Sequence, residues 1–70
     1  MNEKELILNF PKDIKIQCLK DALEQDNISM FFGLSKILLD APINEGGLET
    51  EIIEQIHNEY LNKHINKSLT

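Results

Sequence analysis

Apolar residues along this 70-residue chain recur mostly at helical spacing, and three interruptions divide it into four segments. Asn9-Phe10-Pro11 is the first, Asp26-Asn27 the second, and Ala41-Pro42 followed by Asn44-Glu45-Gly46-Gly47 the third and strongest. Between Pro11 and Gln25 the alternation Ile14, Ile16, Cys18 admits a strand. Projected at about 100° per residue, however, Ile14, Ile16, Cys18, Leu19, Ala22 and Leu23 fall on one side. Asp13, Gln17, Lys20, Asp21 and Glu24 fall on the other, so the segment is predicted helical. Pro11 suits its first turn, and Lys20 with Glu24 makes an i,i+4 pair.

From Ile28 to Asp40 apolar side chains cover most of the helix circumference, with Ser29, Gly33, Lys36 and Asp40 as the polar strip. So wide an apolar surface cannot be satisfied by one neighbour, which places this helix centrally or at a subunit interface. Pro42 ends it. The last helix is expected to start between Gly47 and Thr50 and to reach about Lys67. Leu48, Ile52, Ile53, Ile56 and Tyr60 share one face; Leu61, Ile65 and Leu69 form a second, narrower stripe. Glu49, Glu51 and Glu54 near its start and Lys63 and Lys67 near its end match the helix dipole. The opening stretch, Asn2 to Phe10, could be a short strand or a turn or two of helix. Nothing else in the chain has the β character to pair with it, which favours helix.

These elements predict an all-α fold, a small three-to-four-helix bundle in one domain over residues 1–70, with no repeat and no linker. A chain this short nets only about 3–5 kcal/mol from its core, because ordering entropy nearly cancels burial. One Cys and two His leave neither an internal disulfide nor an evident structural metal as reinforcement. Completion by dimerisation, with a homodimer the expected form, or by a partner is what remains.

Charge then narrows the partners. Twelve acidic residues against seven lysines and no arginine give a formal net charge of −5. That balance disfavours nucleic acid, and the missing guanidinium groups remove the usual readers of guanine and phosphate. A helix-turn-helix regulator turning at Asp26–Ser29 is a remote reading, since its recognition helix would carry one Lys and two Phe. Apolar runs are far shorter than the roughly 20 residues that span a bilayer, and the early acids Glu3 and Glu5 do not suit a signal peptide. With a lone Cys, a cytoplasmic protein without membrane association is expected.

Candidate chemistry is sparse. His57 and His64 stand seven apart, whereas helix ligands sharing a metal stand three or four apart. Cys18 projects onto the apolar face, as a packed thiol does. Gly46-Gly47 reads as a turn between helices, and the pairs Glu51/Glu54 and Asp21/Glu24 read as solvated. No catalytic residue, metal or cofactor is therefore assigned, and the chain is not expected to be an enzyme.

Recognition is the remaining class. Phe31 and Phe32 point about 100° apart, so one can enter the core while its neighbour reaches a second surface. Residues 41–60 hold Glu45, Glu49, Glu51, Glu54 and Glu59 and no lysine. The expectation is an acidic protein-binding module, an adaptor or inhibitor of the immunity, antitoxin or anti-host type by analogy of size and charge. Those five carboxylates would meet a basic partner surface, and Phe31, Phe32 or Tyr60 would supply buried contact. The alternative is a self-assembling scaffold dimer that consumes the Leu61/Ile65/Leu69 stripe and the Phe31/Phe32 helix.

Overall fold

A computed structural model describes residues 2–69, with side chains from Asn2 to His64, and contains four α-helices and no strand among them. Helix α1 spans Glu3–Asn9, and the Asn2 side-chain oxygen caps it by accepting the Glu5 N–H at 2.9 Å. Pro11 is extended and lends its carbonyl to the Lys15 N–H at 3.1 Å, so α2 runs Lys12–Glu24 directly after the proline. Asp26, at φ 56°, reverses the chain in the left-handed region. Its N–H donates to Leu23 and that of Asn27 to Ala22, the paired bonds of a Schellman ending. Asn27 then caps α3 (Ile28–Asp40) through the Met30 N–H at 3.2 Å. Ala41 is extended before Pro42, and a 3-10 turn over Ile43–Glu45 leads to α4 (Thr50–Leu69).

Helix α2 packs on both α3 and α4, and α1 packs on α3. Leu19, Leu23, Phe31 and Leu38 are the largest side chains fully withdrawn from solvent; Ile7, Ala22, Leu48, Ile53 and Ile56 complete the core. The expected face of α4 is thus the buried one, with Ile52 and Tyr60 at its margin.

Two faces depart from expectation. Along α2 the inward residues are Lys15, Leu19, Ala22 and Leu23, while Ile14 is exposed. The helix can turn a lysine inward because the Lys15 ammonium donates to the Gly46 carbonyl at 2.6 Å, leaving its alkyl stem to pack. Along α3, Ser35 lies on the buried face, its hydroxyl without a hydrogen-bond partner among the described residues. The i,i+4 pair that closes along α2 is Gln17 to Asp21, at 2.8 Å. Even with α1 and α2 packed on it, α3 leaves Ile28, Met30, Phe32 and Leu39 in solvent.

The molecule measures 44 × 21 × 17 Å with a radius of gyration of 12.8 Å, against about 11 Å expected for 70 residues. Helix α4 accounts for the length, since its 20 residues span about 30 Å where the 13 of α2 or α3 span about 20 Å. Leu61 to His64 are all exposed; Ile65 and Leu69, the rest of the second stripe, lie outside the described side chains. No helix among the described residues is long and apolar enough to cross a membrane.

Candidate interaction site

Neighbouring positions on α3 divide Phe31 from Phe32. Phe31 is 2% exposed and Phe32 is 55% exposed, their rings meeting edge-on at 5.6 Å. His57 of α4 closes the group at 5.3 Å from Phe31 and 6.1 Å from Phe32. Phe32 therefore stands on a small aromatic base instead of swinging free. Ile28 and Leu39, both exposed, project within about 40° of Phe32 around the helix and extend it into an apolar ridge. On α4, Glu54 precedes His57 by three residues and Leu61 follows it by four, so both share that flank. An exposed apolar ridge with a carboxylate beside it is the arrangement of an interface anchor and its polar rim.

Tyr60 is placed differently from Phe32. Its hydroxyl donates to the Asp26 carboxylate at 3.0 Å, tying α4 to the α2–α3 turn, and its ring lies 4.2 Å from that of His64. The bond to Asp26, then partial desolvation, then the Asp26 negative charge raise the phenol above its ordinary value. A group raised on folding contributes fully below its unfolded titration range and loses that contribution as pH rises through the folded one. Tyr60→Phe is accordingly expected to lower the thermal midpoint at neutral pH, with the gap to wild type closing once the phenol ionises. Parallel melts at neutral and strongly alkaline pH check this; a gap independent of pH would contradict it.

The five glutamates are all exposed but do not share one field. Glu49 lines a cleft with Lys12 and Lys15, and Glu59 lines another, of about 440 Å³, with Lys20, Glu24 and Lys63. Glu45 sits on the 3-10 turn, which leaves Glu51 and Glu54 on the first turns of α4 as acids outside those mixed clefts.

A further concavity, of about 580 Å³, lies between α1 and α3. Helix α1 lines it with Glu3, Leu6 and Ile7, and Phe10, the extended residue that caps α1, adds to the same wall. Helix α3 lines it with Met30, Gly33, Leu34 and Ile37 in i, i+3, i+4, i+7 register, and half-buried Cys18 contributes from α2. The register on α3 is readable in the sequence; its pairing with α1 depends on how two separate segments dock. Gly33, part of the expected polar strip, is a wall of this groove.

Among the described residues, no group of three or more His, Cys, Asp and Glu is placed to hold a metal ion. Comparison of the chain with family models, with curated proteins and with solved structures finds no match in any of the three. What the fold and these surfaces define is a small all-α bundle with apolar surface exposed on both flanks of α3.

Proposed function

We propose that the protein is a non-enzymatic protein-binding module, acting in the cytoplasm, whose partner docks on the α3–α4 face around Phe32. The observation that supports this most strongly is the exposed Phe32 ring, held from behind by Phe31 and His57 and extended by Ile28 and Leu39. A supported aromatic loses little side-chain entropy when covered, which makes it an efficient hot spot. Glu54 and Glu51 form the rim, and with a net charge of −5 the partner is one that presents a basic surface around an apolar pocket. Relative to the five-acid patch expected from the sequence, this reading keeps Glu51 and Glu54 and treats Glu49 and Glu59 as screened by lysines. Of the three aromatics, it keeps Phe32 and assigns Phe31 and Tyr60 to holding the protomer together.

The test is affinity purification from the native cell with wild-type and Phe32→Ala baits, followed by titration of the recovered partner. Phe32→Ala is expected to weaken binding at least about tenfold, the cost of removing a hot-spot side chain. Added salt should slow association with wild type. A partner held equally by both baits, with affinity indifferent to salt, would remove the proposal.

A further inference from the structure

A cleft of about 160 Å³ opens where α2 and α4 begin, between Lys12 and Lys15 of α2, Ile43 and Gly47 of the connecting loop, and Glu49 and Ile52 at the start of α4. It has no role in the reading built on Phe32. We propose that this cleft binds a phosphate-type oxyanion, with the buried Lys15 ammonium as its main partner and Lys12 at its mouth.

Lys15 carries the argument. It is 5% exposed, and a buried cation is costly unless its charge is neutralised and its donors are used. Of the three N–H groups on an ammonium, the one that finds a protein acceptor donates to the Gly46 carbonyl at 2.6 Å. No carboxylate pairs with Lys15 among the described residues. A carbonyl is a dipole and leaves the charge itself uncancelled. Because Lys15 also lines the cleft, an oxyanion seated there would meet the remaining donors without entering the core.

The local field has the sign an anion needs, although the whole chain carries −5. Lys12 and Lys15 stand three apart on α2, so both ammonium groups serve one side of the helix. Lys12 is the first residue of α2 and Glu49 directly precedes α4, so both helices turn the positive ends of their dipoles toward this place. Glu49 is the lining group that opposes an anion. Its side chain is exposed and pairs with neither lysine among the described residues, so its charge stays in water and does not neutralise Lys15.

Size sets the class of ligand. The cleft is well under the roughly 300 Å³ at which pockets take drug-sized molecules, so one anionic group enters and any body attached to it stays outside. A tetrahedral oxyanion offers acceptors in several directions and can meet Lys15 and Lys12 together. Ile43, 61% exposed, borders the same cleft and would meet the apolar body of a phosphate ester.

Calorimetric titration of the full chain with inorganic phosphate and with phenyl phosphate, in a buffer whose other anion is chloride, tests this. Wild type is expected to bind phosphate saturably with a dissociation constant of about 1 mM or below. Its thermal midpoint should rise with phosphate and not with chloride at equal ionic strength. Lys15→Met keeps an apolar stem in the core and should lose saturable binding. Lys12→Ala and Glu49→Gln alter exposed residues and decide the matter even where Lys15→Met does not fold. The first should weaken binding about threefold, and the second should tighten it by a similar factor. Glu24→Gln makes the same change of net charge at the far end of α2 and should leave binding unaltered. Phenyl phosphate bound at least about tenfold more tightly than the free ion assigns the cleft to a phosphate ester resting on Ile43, and equal or weaker binding assigns it to the free ion. A wild type that binds neither compound saturably overturns the proposal. So does a folded Lys15→Met that binds as wild type, or Lys12→Ala and Glu49→Gln that leave binding unchanged. A Glu24→Gln effect equal to that of Glu49→Gln overturns it too, because binding would then follow bulk charge. Phe32→Ala should bind phosphate as wild type does, so failure of the partner-binding reading leaves this inference standing.

Discussion

Gly47→Ala is expected to leave most of the chain unfolded at 25 °C. A Cβ on Gly47 would lie on the carbonyl oxygen of Ala41 and 2.8 Å from that of Leu38. Both are main-chain atoms at the end of α3, so neither can swing aside as a side chain would. They cannot retreat together either, because the loop is fastened there: the Gly47 N–H donates to Pro42 and the Leu48 N–H to Leu38, each at 3.0 Å. The second of these bonds satisfies a carbonyl that the end of a helix leaves without a partner. Gly46, next door, has φ 107°, and its own Cβ would strike the Leu8 carbonyl of α1. The carbonyl of Gly46 holds the buried ammonium of Lys15 on α2. One short loop is therefore in contact with α1, α2 and α3 and leads directly into α4, and forcing it open costs more than a local adjustment. Overpacking typically costs about 1–3 kcal/mol where side chains can yield and more where they cannot. A domain of this size has only about 3–5 kcal/mol in hand. Gly33→Ala is the control, because it adds the same methyl into open space on a helix and should stabilise by up to about 1 kcal/mol. Urea denaturation followed by circular dichroism reads both; a Gly47→Ala midpoint equal to wild type would show that the loop is not the fastening described.

That loop also marks where the sequence stops being informative. As a Gly-Gly pair after Pro42 it reads as a turn between helices, which it is, but its contacts run to Leu8, Lys15 and Leu38 in three other elements. The bounds of α3 were legible because both are local: Asn27 supplies a capping oxygen at one end and Pro42 restrains Ala41 at the other. The inward face of α2 was legible only in part. Hydrophobic projection favours Ile14 over Lys15, and it has no means of knowing that a carbonyl 31 residues away waits for the ammonium. The candidate surfaces divide the same way. The divergence of Phe31 and Phe32 follows from the helical pitch alone. The glutamates between 41 and 60 are neighbours in the chain, but lysines from α2 enter the clefts beside Glu49 and Glu59, and that follows from docking. The α1/α3 groove is likewise a product of two separate stretches meeting.

Phe31→Ala should cost about 3–5 kcal/mol, the usual range for emptying a buried phenylalanine site, and so should abolish the cooperative unfolding transition or bring it to the edge of detection. The ring is 2% exposed and sits on the inner face of α3 with Ser35 and Leu38, neither large enough to move into the space it leaves. Ser35 would make matters worse, because its hydroxyl is already buried without a partner among the described residues and would face a cavity. His57, which rests on the Phe31 ring at 5.3 Å, would lose its support, and with it Phe32 would lose the base that holds its ring in place. Phe32→Ala, one residue along, removes a side chain that is mostly in solvent and should change stability by no more than about 0.5–1 kcal/mol. Two adjacent and chemically identical residues are thus assigned opposite duties by about 100° of helix rotation. Denaturation curves of the two variants measured side by side decide the matter. Equal destabilisation would mean that Phe32 is a core residue, and the ridge on which recognition is proposed to rest would lose its anchor.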